Sequence, residues 1–459
     1  RIASLMSIGL MGRPEVAGDR TFYLRREADE EQAALLVRDS ADGSARVLVD
    51  PTREGERVAI DWYFPSPAGR YVAVGMSAQG DERSVLRVAD AATGEEASGE
   101  RIEHCKWTTV SWLPGEDGFY YTRYPREGED DHDADRPDSY FPRVFFHRLG
   151  TDPAEDPRIY GAAEPDDFPW PSVSDDGRWL VVNVMRGWSR SDVYILDREA
   201  DGAELEAVRE GCDCLVSGSV RRGRLWLMSN EGHPRYHILS AAPETATDRE
   251  TWQEVVAESE ATIDGFEVAG ERLVVHELHR FASRLRLTTL EGEPAGELPL
   301  PTNGSVAGVG ASSTSSRVAF VFSSFFFPPT LFEADAAAPG EPRQVERIPA
   351  AVDVDRYAVR QETVPSEDGT SVNVFLVHDR DAEADGSNRV LLYGYGGFNV
   401  SILPSFSRRS LYWLERGGTY AVANLRGGGE LGEEWHRAGM LENKERVFED
   451  FEAVVRWLS

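Results

Sequence analysis

The stretch that most constrains the fold of this chain runs from residue 388 to residue 459. Two short apolar runs, Val390–Tyr393 and Tyr420–Leu425, each end in a glycine-rich loop, and a third segment follows with apolar residues at helical spacing. Strand, loop, strand, loop and helix in this order open an α/β fold, in which loops at the carboxyl ends of strands build the site. We therefore expect residues 351–459 to be the first part of an α/β domain that the printed sequence begins and does not finish.

The residues before this stretch repeat a simpler pattern. A turn with a small residue precedes an alternating apolar strand, and a partner strand follows that ends near an acidic turn. The predicted first strands are Thr21–Leu24, Tyr71–Val74, Phe119–Thr122, Trp179–Val184, Leu225–Met228, Leu273–Val275 and Val318–Phe322. Their predicted partners are Ala34–Arg38, Ser84–Val88, Val144–His147, Asp192–Leu196, Tyr236–Leu239, Leu285–Thr289 and Thr330–Glu333.

Seven units of about 50 residues, each with short antiparallel strands, are typical of a β-propeller. One unit cannot bury both faces of its sheet, whereas units stacked around an axis can. The pattern therefore predicts a seven-bladed β-propeller over residues 12–350, with an array of sandwiches as the structural alternative. Residues 1–11 are weakly helical, and we expect them to be the end of a missing N-terminal segment.

A domain boundary is expected near residue 350, where the repeat pattern stops at Ala350–Ala358. Beyond it, Gln361–Val364 and Val372–Val377 are joined by a Pro-Ser-Glu-Asp-Gly-Thr turn and predict a hairpin unlike the preceding units. This hairpin leads through a polar loop into the Val390 strand.

Composition excludes several classes of function. The formal net charge of −31 gives a surface that repels nucleic-acid phosphates and anionic lipid headgroups, so neither nucleic acid nor membrane is expected as a partner. No apolar run approaches the roughly 18–20 residues of a membrane helix. The three cysteines, Cys105, Cys212 and Cys214, are an odd and sparse set that makes no disulfide framework, and we expect all of them to be ordinary thiols.

No metal and no cofactor are expected. The two close histidine pairs, His233 with His237 and His276 with His279, lie in turn-like or strand-like segments, and the first pair spans a proline. Neither pair therefore has the helical spacing of a zinc motif. His436 stands alone in an irregular stretch, and a lone histidine more often has a structural role.

The first glycine-rich loop, Tyr393–Asn399, is the strongest candidate for chemistry. Its three glycines open backbone conformations that are closed to other residues. Such a loop can present backbone N–H groups and the Tyr395 hydroxyl to a developing oxyanion. The structural alternative is a plain turn with Tyr395 packed in the core.

The second loop, Arg426–Glu430, contains three glycines but lacks the Lys-Ser/Thr of a phosphate-binding loop. We expect it to be architectural, with Arg426 and Glu430 as a possible pair that holds the loop. No Gly-x-Ser-x-Gly nucleophile elbow occurs in the printed residues.

Three segments, YGYGGFNV, AVANLRGGGELGEEWHRAGM and NKERVFEDFEAVVRWL, resemble the prolyl oligopeptidase family of serine peptidases. The resemblance is dense within residues 389–458, and Arg186–Tyr194 and Ser323–Phe325 are also similar to the family. It implies a seven-bladed propeller that caps an α/β-hydrolase domain, with the active site in the cavity between them. The propeller of this family admits short peptides and excludes large folded substrates.

The resemblance also implies roles for two residues of the first loop. Tyr395 matches the tyrosine whose hydroxyl assists the oxyanion hole, and Phe398 matches an aromatic residue that lines the proline pocket. The serine elbow is expected soon after Ser459, with the aspartate and histidine of the triad further on.

The function expected from this resemblance is a serine endopeptidase that cuts short proline-containing peptides on the carboxyl side of proline. The reason is that Gly397–Asn399 and Ala421–Asn424 look closer to the proline-specific branch of the family than to the basic-residue-specific branch. A monomer in the cytoplasm is expected, with the periplasm as the alternative location. Two other functions stay open: a basic-residue-specific oligopeptidase of the same family, and a propeller interaction module joined to an inactive hydrolase remnant.

Overall fold

The computed structural model describes residues 2–39, 43–97, 99–350, 353–383 and 385–459. Within them, residues 10–347 form seven successive antiparallel sheets, which we label A to G in chain order. Sheet A contains β1 (Leu10–Met11), β2 (Glu15–Ala17), β3 (Arg20–Arg26), β4 (Ala34–Arg38) and β5 (Arg46–Val49). Sheet B contains β6 (Val58–Pro65), β7 (Tyr71–Ala78) and β8 (Val85–Asp90). Sheet C contains β9 (Val110–Trp112), β10 (Gly118–Arg123), β11 (Arg143–Arg148) and β12 (Arg158–Gly161).

The next four sheets have four strands each. Sheet D contains β13 (Asp167–Val173), β14 (Trp179–Arg186), β15 (Arg190–Asp197) and β16 (Glu206–Arg209). Sheet E contains β17 (Val216–Arg221), β18 (Arg224–Ser229), β19 (His237–Ala241) and β20 (Gln253–Val256). Sheet F contains β21 (Thr262–Ala269), β22 (Arg272–His279), β23 (Ala282–Thr289) and β24 (Pro294–Leu298). Sheet G contains β25 (Ser305–Ala311), β26 (Arg317–Ser324), β27 (Phe327–Asp335) and β28 (Arg343–Arg347).

Every strand that the repeats predict overlaps an observed strand. These pairs lie in the middle of their sheets, except in sheet B, where β8 is an edge strand. The first and last strands of most sheets have no such signal. In β13, Pro169 and Pro171 alone would argue against a strand. They are tolerated because β13 is an edge strand that pairs only with β14.

Apolar cores lie between successive sheets and close the array into a ring. Phe22 and Leu35 of sheet A pack with Val72 and Val74 of sheet B, and similar clusters join each later sheet to the next. A further cluster joins Tyr23 of sheet A to sheet G. Stacking around an axis buries both faces of each sheet, so the structure is a β-propeller and not an array of sandwiches. The seven-blade count itself stays a prediction.

The remaining sheet, H, contains β29 (Tyr357–Pro365), β30 (Ser371–Asp379), β31 (Val390–Gly394) and β32 (Thr419–Asn424). Its spatial order is β29-β30-β32-β31, and β31 and β32 are parallel. The helices are α1 (Ile2–Met6), α2 (Arg408–Glu415), α3 (Glu433–Arg437) and α4 (Glu445–Leu458). The predicted hairpin is β29 and β30, which pair in register from Tyr357 to Pro365.

Helices cover both faces of sheet H. Val447 and Val454 of α4 pack with Val372 and Val374 on one face, while Leu414 of α2 packs on the other. The predicted α/β opening is therefore confirmed. Sheet G ends at residue 347 and sheet H begins at residue 357, and the exact domain bounds stay a prediction. None of the helices in the described part of the chain has the length and apolar character needed to cross a membrane.

Candidate functional site

The first glycine-rich loop leaves the end of β31 in an unusual backbone conformation. Gly396, Phe398 and Asn399 all have left-handed φ angles, +60°, +54° and +57°. Glycine adopts this conformation freely, whereas for phenylalanine it is uncommon and needs support from its surroundings. The loop also accepts a hydrogen bond at the Gly396 carbonyl oxygen from Lys444 Nζ at 2.6 Å.

The second glycine-rich loop supplies much of that support. Asn399 N–H donates to the Gly427 carbonyl oxygen at 3.2 Å. A Cβ atom on Gly427 would lie 2.8 Å from the Gly396 oxygen, and one on Gly429 would lie 2.5 Å from the Asn399 oxygen. The two loops therefore touch through their backbones, and side chains at these glycines would separate them.

Arg426 anchors the second loop from below. Its guanidinium binds Asp450 of α4 with Nη2–Oδ1 and Nε–Oδ2 distances of 2.6 and 2.9 Å, and Nη1 lies 2.5 Å from Asp368 Oδ2. Arg426 and Asp450 are both buried. The pairing of Arg426 with Glu430 suggested by the sequence is therefore wrong, since the nearer acids lie on α4 and on the β29–β30 turn.

Glu430 instead holds the chain beyond the first loop. Its Oε1 accepts from the Ile402 N–H at 2.8 Å and from Asn424 Nδ2 at 2.9 Å. Burial raises the pKa of Glu430, as expected for a carboxyl that has no cationic partner in these contacts. The architectural role expected for both residues agrees with these contacts.

On this platform the loop presents two aromatic side chains to solvent. Tyr395 is 45% exposed and Phe398 is 55% exposed, and their ring centroids are 6.5 Å apart. The alternative in which Tyr395 packs in the core is therefore wrong. Within the described ranges the Tyr395 hydroxyl has no hydrogen-bond partner, so it is available to a ligand. The oxyanion role of Tyr395 and the proline-pocket role of Phe398 stay predictions.

Trp188, which sequence reasoning did not select, meets this pair from the propeller. It lies in the turn between β14 and β15, and its ring contacts Phe398 edge to face at a centroid distance of 5.4 Å. Trp188 is 61% exposed. The only sequence signal was its place in the Arg186–Tyr194 segment, because contact between residues so distant in sequence depends on the tertiary fold.

Other contacts between the propeller and the α/β part surround the site. Glu433 N–H donates to the Pro234 carbonyl oxygen at 2.7 Å, and Arg437 Nη1 lies 2.8 Å from Asp213 Oδ2. Thr262 Oγ1 donates to the Glu430 carbonyl oxygen at 3.2 Å. The aromatic pair therefore lies at the junction of the two parts.

The cysteines depart from the sequence expectation. Cys212 and Cys214 form a disulfide that encloses Asp213, so two of the three expected thiols are wrong. The signal was missed because a one-residue spacing makes no recognisable framework. Cys105 is a free buried thiol, and burial raises its pKa to about 12.

Three histidines considered in the sequence have defined surroundings in the structure. His436 is buried on α3, and its Nδ1 lies 3.3 Å from Glu433 Oε2, as expected for a structural histidine. His233 lies in a turn and His237 begins β19, as predicted, but their rings stack at 3.9 Å and Glu254 lies beside them.

The fold and loops define a peptidase-type architecture, a β-propeller joined to the opening of an α/β-hydrolase domain. The model of the prolyl oligopeptidase N-terminal β-propeller domain matches residues 1–346, and that of the prolyl oligopeptidase family matches residues 404–459. The chain belongs to the prolyl oligopeptidase family.

Curated relatives include the prolyl endopeptidases of Elizabethkingia meningoseptica and Elizabethkingia miricola. Each is 28% identical to this chain, and the alignment covers 97% of this chain. The chain spans 62% of the length of both relatives.

Solved structures agree. One from a study of two prolyl endopeptidases and the role of inter-domain dynamics in their catalysis and specificity is 32% identical, with a TM-score of 0.90 over 100% of this chain and 67% of that one. Prolyl oligopeptidase B from Galerina marginata, bound to a macrocyclization substrate, is 21% identical with a TM-score of 0.89 over the same shares. The latter shows the fold alone.

Proposed function

We propose that the protein is a serine endopeptidase that cleaves short peptides on the carboxyl side of proline. The observation that carries this proposal is the exposed Phe398 ring, which is held at the junction by a strained loop and faces Trp188 of the propeller. A rigid proline ring gains contact area on aromatic faces at little cost in conformational entropy. The names of the curated relatives support the same specificity.

The proposed chemistry is that of a serine peptidase, and it gives a role to Tyr395, which lies beside Phe398. A serine attacks the scissile carbonyl, a histidine takes the proton and returns it to the leaving amine, and an acyl-enzyme forms and is hydrolysed. In this scheme the Tyr395 hydroxyl and a backbone N–H each donate a hydrogen bond to the tetrahedral oxyanion. The serine, aspartate and histidine are expected beyond Ser459, and the printed residues supply the oxyanion donor and the proline contact.

We further propose that the enzyme is monomeric and cytoplasmic. The periplasmic alternative gains support from the Cys212–Cys214 disulfide, because disulfides persist in oxidising compartments. Cell fractionation with immunodetection, combined with light scattering of the purified protein, tests both statements.

The experiment that tests the proposed activity uses the full-length protein and two reporter peptides that differ only in proline or arginine before the scissile bond. We expect proline to be favoured by at least about 100-fold in kcat/KM. Intact mass after treatment with a fluorophosphonate should show one added probe. A folded protein with an exposed proline should stay uncut, because the propeller restricts access.

Two results would replace this proposal. Preference for arginine would indicate the basic-residue-specific oligopeptidase. Absence of both hydrolysis and probe addition would indicate the interaction module with an inactive hydrolase remnant.

A further inference from the structure

Three side chains on sheet E converge in a way that the proposed peptidase chemistry does not use. His233 lies in the turn before β19, His237 is the first residue of β19, and Glu254 lies on the neighbouring β20. Their candidate ligand atoms, one from each residue, all lie within 4.8 Å of one another. His237 is buried, whereas His233 and Glu254 are partly or fully exposed.

We propose that His233, His237 and Glu254 form a binding site for a divalent transition-metal ion, with Zn²⁺ as the best match. Two imidazole nitrogens and one carboxylate oxygen are a donor set that suits zinc and leaves a fourth position for water. Calcium and magnesium, which take oxygen ligands, do not fit it.

The distances suit coordination. Tetrahedral ligands bonded at zinc distances lie about 3.3 Å apart, and His237 Nδ1 already lies 3.0 Å from Glu254 Oε2. The His233 ring stacks on His237 at 3.9 Å with an interplanar angle of 24°. The proposal requires the His233 side chain, which is partly exposed, to rotate so that its ligand nitrogen points at the ion.

A further carboxylate orients the exposed ring. Glu258 Oε2 lies 3.5 Å from His233 Nδ1, and its Oε1 accepts from the Arg235 N–H at 2.7 Å. Metal-binding histidines usually donate their second ring N–H to such a partner, which fixes the tautomer. The proposal therefore assigns Nε2 of His233 as the ligand atom, since Nδ1 lies beside Glu258.

The expectation of no metal came from the sequence, where Glu254 is 17 residues beyond His237. Only the pairing of β19 with β20 brings the carboxylate to the histidines. The site adjoins the contact between the two parts of the chain, since Pro234 accepts the hydrogen bond from Glu433 N–H. A bound ion would therefore hold the 233–237 turn, and with it this contact.

The test is calorimetric titration of metal-free, untagged full-length protein with ZnCl₂, followed by Co²⁺ absorption spectroscopy. We expect one Zn²⁺ ion to bind per protein chain with a dissociation constant below about 10 µM. Co²⁺ should give visible absorption bands typical of tetrahedral coordination. His233→Ala and Glu254→Gln should each weaken binding at least about tenfold. Zn²⁺ should also raise the melting temperature of the parent protein, and raise that of His233→Ala by less.

The matched control is His279→Ala, which removes a histidine whose Nε2 lies 3.0 Å from Glu260 but which belongs to no cluster of three candidate metal ligands among the described residues. It should bind Zn²⁺ like the parent. Equal affinity of parent and His233→Ala would overturn the proposal, as would absence of binding at about 100 µM Zn²⁺. Circular dichroism of each metal-free variant distinguishes loss of the site from loss of the fold.

Discussion

At the scale of single residues, Tyr395 and Phe398 are exposed because the backbone beneath them is held. Phe398 keeps a left-handed φ of +54° although it is not glycine. Such strain persists only where surrounding contacts fix the chain, and here the Gly427 carbonyl and Lys444 supply two of them. The exposed side chains are thus presented by a rigid platform and not by a mobile loop.

Replacement of Tyr395 by phenylalanine tests its role in the proposed activity. In the full-length protein we expect kcat for a proline reporter peptide to fall about 100-fold with little change in KM, because an oxyanion donor acts in the transition state. Steady-state kinetics measure this. Tyr393→Phe, which changes another exposed tyrosine two residues earlier, is the control and should retain activity. A loss of less than about twofold in Tyr395→Phe would exclude the oxyanion role.

Replacement of Phe398 by alanine tests the proline contact. The preference for a proline over an alanine reporter should fall roughly tenfold, because the stacking surface for the ring is lost. Labelling by a small fluorophosphonate needs no proline pocket and should continue at a similar rate. An unchanged preference would place the proline pocket elsewhere.

At the scale of secondary-structure elements, the two glycine-rich loops depend on close backbone contact. Gly427→Ala adds a left-handed alanine, with φ of +91°, whose Cβ would lie 2.8 Å from the Gly396 oxygen. Gly417→Ala, at φ of +74° with nothing within 4 Å of the Cβ position, has the conformational cost without the contact. That cost is about 1–2 kcal/mol.

We therefore expect Gly417→Ala to lower the melting temperature slightly and leave kcat/KM unchanged. Gly427→Ala should lower both, since the first loop must move to make room. Thermal unfolding monitored by circular dichroism, with kinetics on the same samples, compares them. Equal effects of the two variants would mean that loop contact is not needed.

Sheet C contains a buried histidine that predicts a pH dependence of stability. His147 Nδ1 lies 2.9 Å from Asp156 Oδ1, and Glu100 Oε1 lies 3.9 Å from Nε2. Burial alone would lower the pKa of His147, but the two carboxylates outweigh it and raise this pKa to about 9. The protonated ring is thus favoured in the folded state over the unfolded one, where its pKa is about 6.5.

This contribution to stability is complete below pH 6.5 and is lost as the pH rises through about 9. We expect the denaturant concentration at the unfolding midpoint to decrease as the pH rises from about 6.5 to about 9. The decrease should be smaller in His147→Gln. His279→Gln, at a more exposed His–Glu pair, serves as control. A profile unchanged by His147→Gln would assign the dependence to other groups.

At the scale of the whole molecule, the ring closes without strand pairing between its ends in the described residues. Sheets A and G meet through side chains, with Thr21 Oγ1 3.1 Å from Glu333 Oε1 and with Tyr23 and Arg25 both contacting Glu346. The other neighbouring sheets of the described residues also pack without a shared ladder of backbone hydrogen bonds, but there the chain passes directly from one sheet to the next, which it does not do at this seam. The seam between the first and last sheets is therefore expected to be the weakest part of the ring.

Glu346→Ala tests this seam. Amide hydrogen exchange should become faster in residues 10–38 and 305–347. Sheet D, which is the middle sheet in chain order and distant from the seam, should keep its protection, because local opening follows local contacts. Mass spectrometry of peptic fragments measures it. Glu297→Ala, which changes an exposed glutamate on an outer strand of sheet F, should have no such effect. Uniform acceleration over all sheets would mean that the ring opens as one unit.

Much of this architecture was predictable from local sequence. The central strands of each sheet were visible because alternating apolar residues bury one set of side chains against each neighbouring sheet. The edge strands were not, since β13 with two prolines is a strand only through its pairing with β14. Tyr395 and Phe398 were selected from the glycine-rich motif, whereas Trp188 had no signal of its own.

What the sequence by itself determined is what depends on neighbours along the chain: strand periodicity, the glycines that permit left-handed turns, the acidic surface and the family resemblance. What only the tertiary structure decided is which distant residues meet. Arg426 pairs with Asp450 and Asp368 and not with Glu430. Phe398 contacts Trp188, and Glu254 lies beside two histidines. Contacts between residues distant in sequence depend on strand register and on the packing of sheets. Neither can be read from the local pattern of residues.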